Sequence, residues 1–116
     1  MSQFHQERLN ELIKQNVTKI VRFDLRDKRV KNVTIEEVEV SPDMHYAKVY
    51  FSILSGKEKK QACKGLNRAK KYIRMRLAKN LNLRYTPELD FIYDTISQEA
   101  RSIEMLIEKE RKQYDD

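Results

Sequence analysis

The chain has 116 residues, about the size of one ordinary domain, with 40% hydrophobic and 36% charged residues and a formal net charge of +6. Its one cysteine, Cys63, excludes an intramolecular disulfide, and His5 and His45 lack the spacing of zinc ligands. There is no apolar leader core and no run near the roughly 20 apolar residues of a membrane span, so a cytoplasmic protein is expected.

From Phe4 to Val21 the residues Leu9, Leu12, Ile13, Val17, Ile20 and Val21 recur at three- and four-residue spacing, which predicts an amphipathic helix. The charged run Phe23 to Lys31 breaks that pattern and reads as a connection. Val33 to Val40 is rich in β-branched residues and alternates, as a strand does. Its phase slips between Ile35 and Val38, which predicts a bulge near Glu36 and Glu37. Ser41-Pro42-Asp43-Met44 carries turn chemistry and joins that strand to a second, Tyr46 to Ile53, in an antiparallel hairpin with Ala47, Val49, Phe51 and Ile53 on the core side. Ala62, Leu66, Ala69, Ile73, Leu77 and Leu81 then form an apolar stripe, so a helix or a pair of helices runs from Lys57 to about Asn82. Pro87 permits the start of a third strand through Leu89, Phe91 and Tyr93, whose neighbour in the sheet the pattern does not fix. Thr95 to Gln98 fits a capping box for a last helix with Ile96, Ala100, Ile103, Leu106 and Ile107 on its apolar side. The expected architecture is α+β, with helices on one face of a three-stranded sheet, one domain over residues 1–112 and a frayed tail at 113–116.

Charge is not spread evenly over these elements. Lys57 to Arg84 holds eleven Lys and Arg against one acid, Glu58, so the remainder of the chain is net −4. On a helical wheel Lys57, Lys60, Lys64, Arg68 and Lys71 fall opposite Ala62, Leu66, Ala69 and Ile73. Successive members lie about 4.5 to 6 Å apart along the axis, a spacing comparable with that of phosphates along a chain. A solvated helix face usually mixes signs so that i, i+4 pairs form, each worth about 0.2 to 0.5 kcal/mol. Here the acids are missing, and a bound polyanion would relieve the repulsion by releasing counterions. The candidate RNA-binding residues are Lys57, Lys60, Lys64, Arg68, Lys70, Lys71, Arg74, Arg76, Lys79 and Arg84. Tyr72, Met75 and Tyr85 lie among them. Tyr72, beside Ile73, is expected to be partly in the core, while Tyr85 could stack on unpaired bases or be buried.

Catalysis is poorly supported. No Ser or Cys stands with a base and an orienting acid, the carboxylates Glu36, Glu37, Asp90 and Asp94 sit where strand acids are ordinarily solvated, and the two glycines, Gly56 and Gly65, build no phosphate loop. Neither enzyme, metal nor cofactor is expected. Two other binding modes share the charge argument: a basic amphipathic element on an anionic membrane, and a helix on duplex DNA. The first wants bulkier apolar residues than Ala62 and Ala69, and the second wants a helix-turn-helix spacing that is not seen.

Over Leu9 to Ser97 the chain resembles the bacterial ribosome-binding factor A family. The likeness is carried by Asp27-Lys28-Arg29, by Ser41, Asp43, Ala47, Val49 and Tyr50 in the hairpin, by Leu66, Ala69, Ile73, Arg74 and Leu77, and most specifically by Pro87-Glu88-Leu89 with Phe91 after Leu83-Arg84. The resemblance implies a KH-like fold of the second type, ordered α-β-β-α-α-β-α. It implies binding to the free small ribosomal subunit, assistance in late maturation and processing of its precursor ribosomal RNA, and importance in the cold; a monomer without a membrane partner is expected. Two departures stand out. The family's Ala-x-Gly kink between central helices matches Ala69-Lys70-Lys71 here, so a lysine replaces the glycine, and Lys28 stands where the family has proline.

Overall fold

The computed structural model describes residues 3–54 and 58–95, so Lys57 and the expected last helix lie outside the described residues. Helix α1 spans Gln3–Lys19 and ends in a wider π-helical turn, Ile20–Asp24, closed by Leu25 N–H donating to the Ile20 carbonyl at 3.2 Å. Its buried face is Leu9, Ile13, Val17, Ile20 and Val21. Leu12 is exposed, because it sits about 100° round the wheel from the centre of that stripe.

After a short 3-10 turn, Lys28–Val30, strand β1 (Val33–Val40) pairs antiparallel with β2 (Tyr46–Ile53). The register shifts between Ile35 and Glu37, which is the bulge that the slipped phase predicted. Glu36 is the extra residue, and its carboxylate accepts from the Ser52 hydroxyl at 2.5 Å. The bulge lets Ile35, Val38 and Val40 all face the core in spite of their mixed parity.

Helix α2 is one continuous element, Lys59–Leu81, where the resemblance implied two helices separated by a kink. The reason lies at Lys71. Lysine is a good helix former, whereas glycine in a helix interior costs about 1 kcal/mol relative to alanine and invites a break. The helix ends at Asn82, whose left-handed backbone (φ 48) directs its N–H to the Ala78 carbonyl. Strand β3 (Glu88–Tyr93) then pairs parallel with β2, giving the sheet order β1-β2-β3. A parallel neighbour requires a long crossover, and α2 supplies it.

Both helices pack on one face of the sheet. Ala62, Leu66, Ile73 and Leu77 of α2 are fully buried with Ile13 and Val17 of α1 against Val38, Val49, Phe51 and Leu89. The α+β class, with helices covering one face of a three-stranded sheet, therefore stands.

Candidate nucleic-acid interface

Burying that apolar stripe fixes where the charges of α2 point. Lys60, Lys64, Arg68 and Lys71 are exposed on the opposite side of the helix, and none forms an ion pair with another described residue. Lys79, also exposed, lies in the last turn, where a cation complements the carbonyl end of the helix dipole. The main apolar stripe of α2 is committed to the sheet, while Tyr72 and Met75 are exposed on its other sides. No helix among the described residues is long and apolar enough to cross a membrane.

Other members of the expected set have structural duties. Arg74 is exposed but donates from Nε and a terminal nitrogen to the Thr86 carbonyl at 3.2 and 2.9 Å, tying α2 to the segment that leads into β3. Arg76 turns toward the π-helical turn, with Nε 3.5 Å from a carboxylate oxygen of Asp24. That separation makes an ion pair but no hydrogen bond, since Nε has no hydrogen-bond partner. Lys70 is half-buried on the flank. Arg84 lies beyond the helix with its guanidinium 5.5 Å from the centre of the Tyr85 ring.

A second group of charges comes from the connection before β1. Asp27 accepts from the Arg29 backbone N–H at 2.9 Å and from its guanidinium at 2.7 to 3.1 Å, clamping the 3-10 turn. These hydrogen bonds lower the Asp27 carboxyl from 3.8 to about 2, with a smaller contribution from the Arg68 charge, and they raise Arg29. The turn sits directly against α2 at Gly65, where a Cβ would lie 2.8 Å from Val30 Cγ1 and 3.2 Å from Arg29 Cβ. Arg22, Arg26, Lys28 and Lys31 are left exposed and line a cleft with Thr18, Val33 and Leu54, to which no residue of α2 contributes. Sequence reading treated this run as a mere connection. Its density of basic residues was the available signal, but only the close approach at Gly65 joins it to α2.

At the other end of the helix the hairpin turn, α2 and the 84–86 segment enclose an open notch lined by residues that include His45, Lys71, Arg74, Met75, Arg84 and Tyr85. The turn is held by its own side chains. The Ser41 hydroxyl donates to Asp43 at 2.6 Å, the Asp43 carboxylate also accepts from the His45 N–H at 3.0 Å, and Met44 takes a left-handed φ of 64. Hydrogen bonds from Ser41 and from the His45 backbone depress the Asp43 carboxyl below its usual range. The His45 carbonyl accepts from Glu88 N–H at 2.8 Å, which fixes the turn to β3. The His45 and Tyr85 rings end up near parallel, 17° apart with centroids 6.3 Å distant. Tyr85 is 55% exposed. Tyr72, expected to be partly in the core, is 40% exposed instead, because it lies on the wheel toward the basic side rather than beside its neighbour Ile73.

Among the described residues no group of three His, Cys, Asp or Glu could hold a metal ion. Cys63 is half-buried on the helix flank, and the described site offers cations and aromatic faces rather than an acid, base and nucleophile in contact.

The comparisons with known proteins agree on one family. The family model for ribosome-binding factor A matches residues 5–107. The ribosome-binding factor A of Coxiella burnetii is 38% identical over 115 residues, covering 99% of this chain and 96% of that protein. Among solved structures, the crystal structure of ribosome-binding factor A from Thermus thermophilus superposes with a TM-score of 0.73 at 26% identity, over 79% of this chain and 98% of that one. A homology model of the same Thermus protein, fitted into a cryo-EM map of its complex with the 30S subunit, gives a TM-score of 0.63 at 27% identity over 73% and 90% of the two chains. On these matches, this chain belongs to the ribosome-binding factor A family.

Proposed function

We propose that this chain is a non-catalytic assembly factor that binds the free small ribosomal subunit through ribosomal RNA, using the basic face of α2, and assists late maturation and processing of the precursor RNA. The observation that carries the reading is the stripe of Lys60, Lys64, Arg68 and Lys71, exposed and in no ion pair among the described residues, on a helix whose other side is core. Such a stripe gains free energy from phosphate by releasing counterions and needs no base-specific contact. The relative fitted into a map of a 30S complex supports the small subunit as the target. Action in the cytoplasm, as a monomer and chiefly in the cold, belongs to the same proposal.

The test is co-sedimentation with free small subunits, comparing the native chain with Lys64, Arg68 and Lys71 all reversed to Glu. Each of these side chains is exposed, so the variant keeps its fold while binding is lost. Unchanged co-sedimentation of a folded variant contradicts the assignment of the face. Competition with duplex DNA at several salt concentrations addresses the other nucleic-acid reading, and equal affinity for DNA and subunit RNA counts against a ribosomal role.

A further inference from the structure

We infer that the notch between the hairpin turn and the C-terminal half of α2 is a site for one unpaired nucleotide of RNA, whose base stacks on Tyr85 while its phosphate is held by Lys71 and Arg84. The inference rests on the RNA reading above and names the form of RNA that this part of the surface takes.

Three observations support it. First, Tyr85 is 55% exposed, so part of a large aromatic side chain is left open to a ligand beside the Arg84 guanidinium. Second, the ring is presented by fixed backbone. Arg74 holds the Thr86 carbonyl beside it, and on the opposite wall the His45 carbonyl is fixed by Glu88 N–H. The two rings stand 17° from parallel at 6.3 Å, an arrangement that presents flat faces in one orientation, as a base requires. Third, the lining supplies three cations, Lys71, Arg74 and Arg84, against one acid, Glu88. Arg84 already lies 5.5 Å from the Tyr85 ring centre, so a phosphate bound to it would bring its own base to the ring.

The geometry selects unpaired RNA. In a duplex both faces of each base are covered by neighbours, and only a splayed base can lie on a side chain. A purely electrostatic surface would prefer the duplex, which carries the greater charge density, so preference for a single strand separates stacking from charge.

The experiment measures anisotropy of a labelled short oligouridylate and of a duplex of equal length, titrated with the full chain at several salt concentrations. Tyr85→Ala, Tyr85→Phe and His45→Ala variants are compared, each checked for fold by circular dichroism and urea midpoint. The native chain is expected to prefer the single strand. Tyr85→Ala is expected to lose roughly 5- to 150-fold in affinity, the range for one base stacked on an aromatic ring. Its salt slope stays unchanged, because stacking releases no counterions, and Tyr85→Phe remains within about twofold of native because it keeps the ring. His45→Ala is expected to lose less than Tyr85→Ala. Because the chain has no Trp, tyrosine emission can be followed, and its quenching by RNA should be smaller in Tyr85→Ala than in the native chain. An unaltered affinity in Tyr85→Ala overturns the inference, as does an equal loss in Tyr85→Phe or a loss that appears only as a shallower salt slope. If the native chain still co-sediments with small subunits in those cases, the proposed function stands and only the nucleotide site falls. Failure of the native chain to co-sediment defeats the function whatever Tyr85 does.

Discussion

Replacing Gly65 with alanine sets two effects of opposite sign against each other at the place where α2 meets the 3-10 turn. In a helix interior, alanine in place of glycine stabilises by about 1 kcal/mol through backbone entropy. The new Cβ, however, would lie 2.8 Å from Val30 Cγ1 and 3.2 Å from Arg29 Cβ. Neither neighbour yields easily. Val30 is 2% exposed and β-branched, and Arg29 is clamped by Asp27. Overpacking of this kind costs about 1 to 3 kcal/mol. The balance is a net destabilisation of about 1 kcal/mol, read as a lower urea midpoint and, for a domain of this size, a melting temperature about 4 °C lower. Val30→Ala opens the space, so the double variant should be less destabilised than the two single variants added together, with a coupling of about 0.5 kcal/mol or more. Stabilisation of Gly65→Ala by the full helix term, with additive behaviour in the double variant, would show that the turn does not approach the helix as described.

Lys71→Gly introduces a glycine into the middle of α2 and should lower stability by about 1 kcal/mol in urea unfolding, because the helix runs unbroken through this exposed position; no change would mean that α2 already breaks there. Arg74→Glu should behave unlike its exposed neighbours, losing about 1 kcal/mol of stability with its two hydrogen bonds to Thr86, whereas Arg68→Glu should stay within about 0.5 kcal/mol of native in the same assay. Asp27 makes stability depend on pH with a definite sign. Its carboxyl is lowered in the folded chain from 3.8 to about 2, so the clamp contributes fully above the unfolded value and is lost as pH falls from there through the folded one. Melting of Asp27→Asn against the native chain should therefore show a deficit at pH 6 that shrinks by pH 2, and a constant deficit would assign the loss to packing rather than charge.

Periodicity carried most of the fold because the core is built from regular elements. The stripe from Ala62 to Leu77, the alternation of Ala47, Val49 and Phe51, and the parity slip around Glu36 each encode a local geometry that a sequence displays directly. Placing β3 beside β2 was beyond that reading, since alternation says which face is buried and nothing about which strand lies alongside. The continuity of α2 turned on one residue, Lys71, whose helix propensity outweighs the kink implied by resemblance. In the basic face, exposure of Lys60, Lys64, Arg68 and Lys71 followed from the wheel. The commitments of Arg74 to Thr86 and of Arg76 to Asp24 did not, because their partners lie 12 and 52 positions away in sequence. The same limit hid the His45 and Tyr85 pair, which joins a hairpin turn to the segment after α2. The predicted helix beyond Thr95 lies outside the described residues.

The central claim, that the exposed cations of α2 bind the small ribosomal subunit, is tested most directly by sedimentation with free small subunits, large subunits and assembled ribosomes side by side. The account predicts that the native chain travels with free small subunits in preference to the other two, and that reversal of Lys64, Arg68 and Lys71 to Glu removes it while circular dichroism and the urea midpoint stay near native. A chain that fails to travel with small subunits, that binds large subunits equally well, or that binds as before with the charges reversed would contradict it.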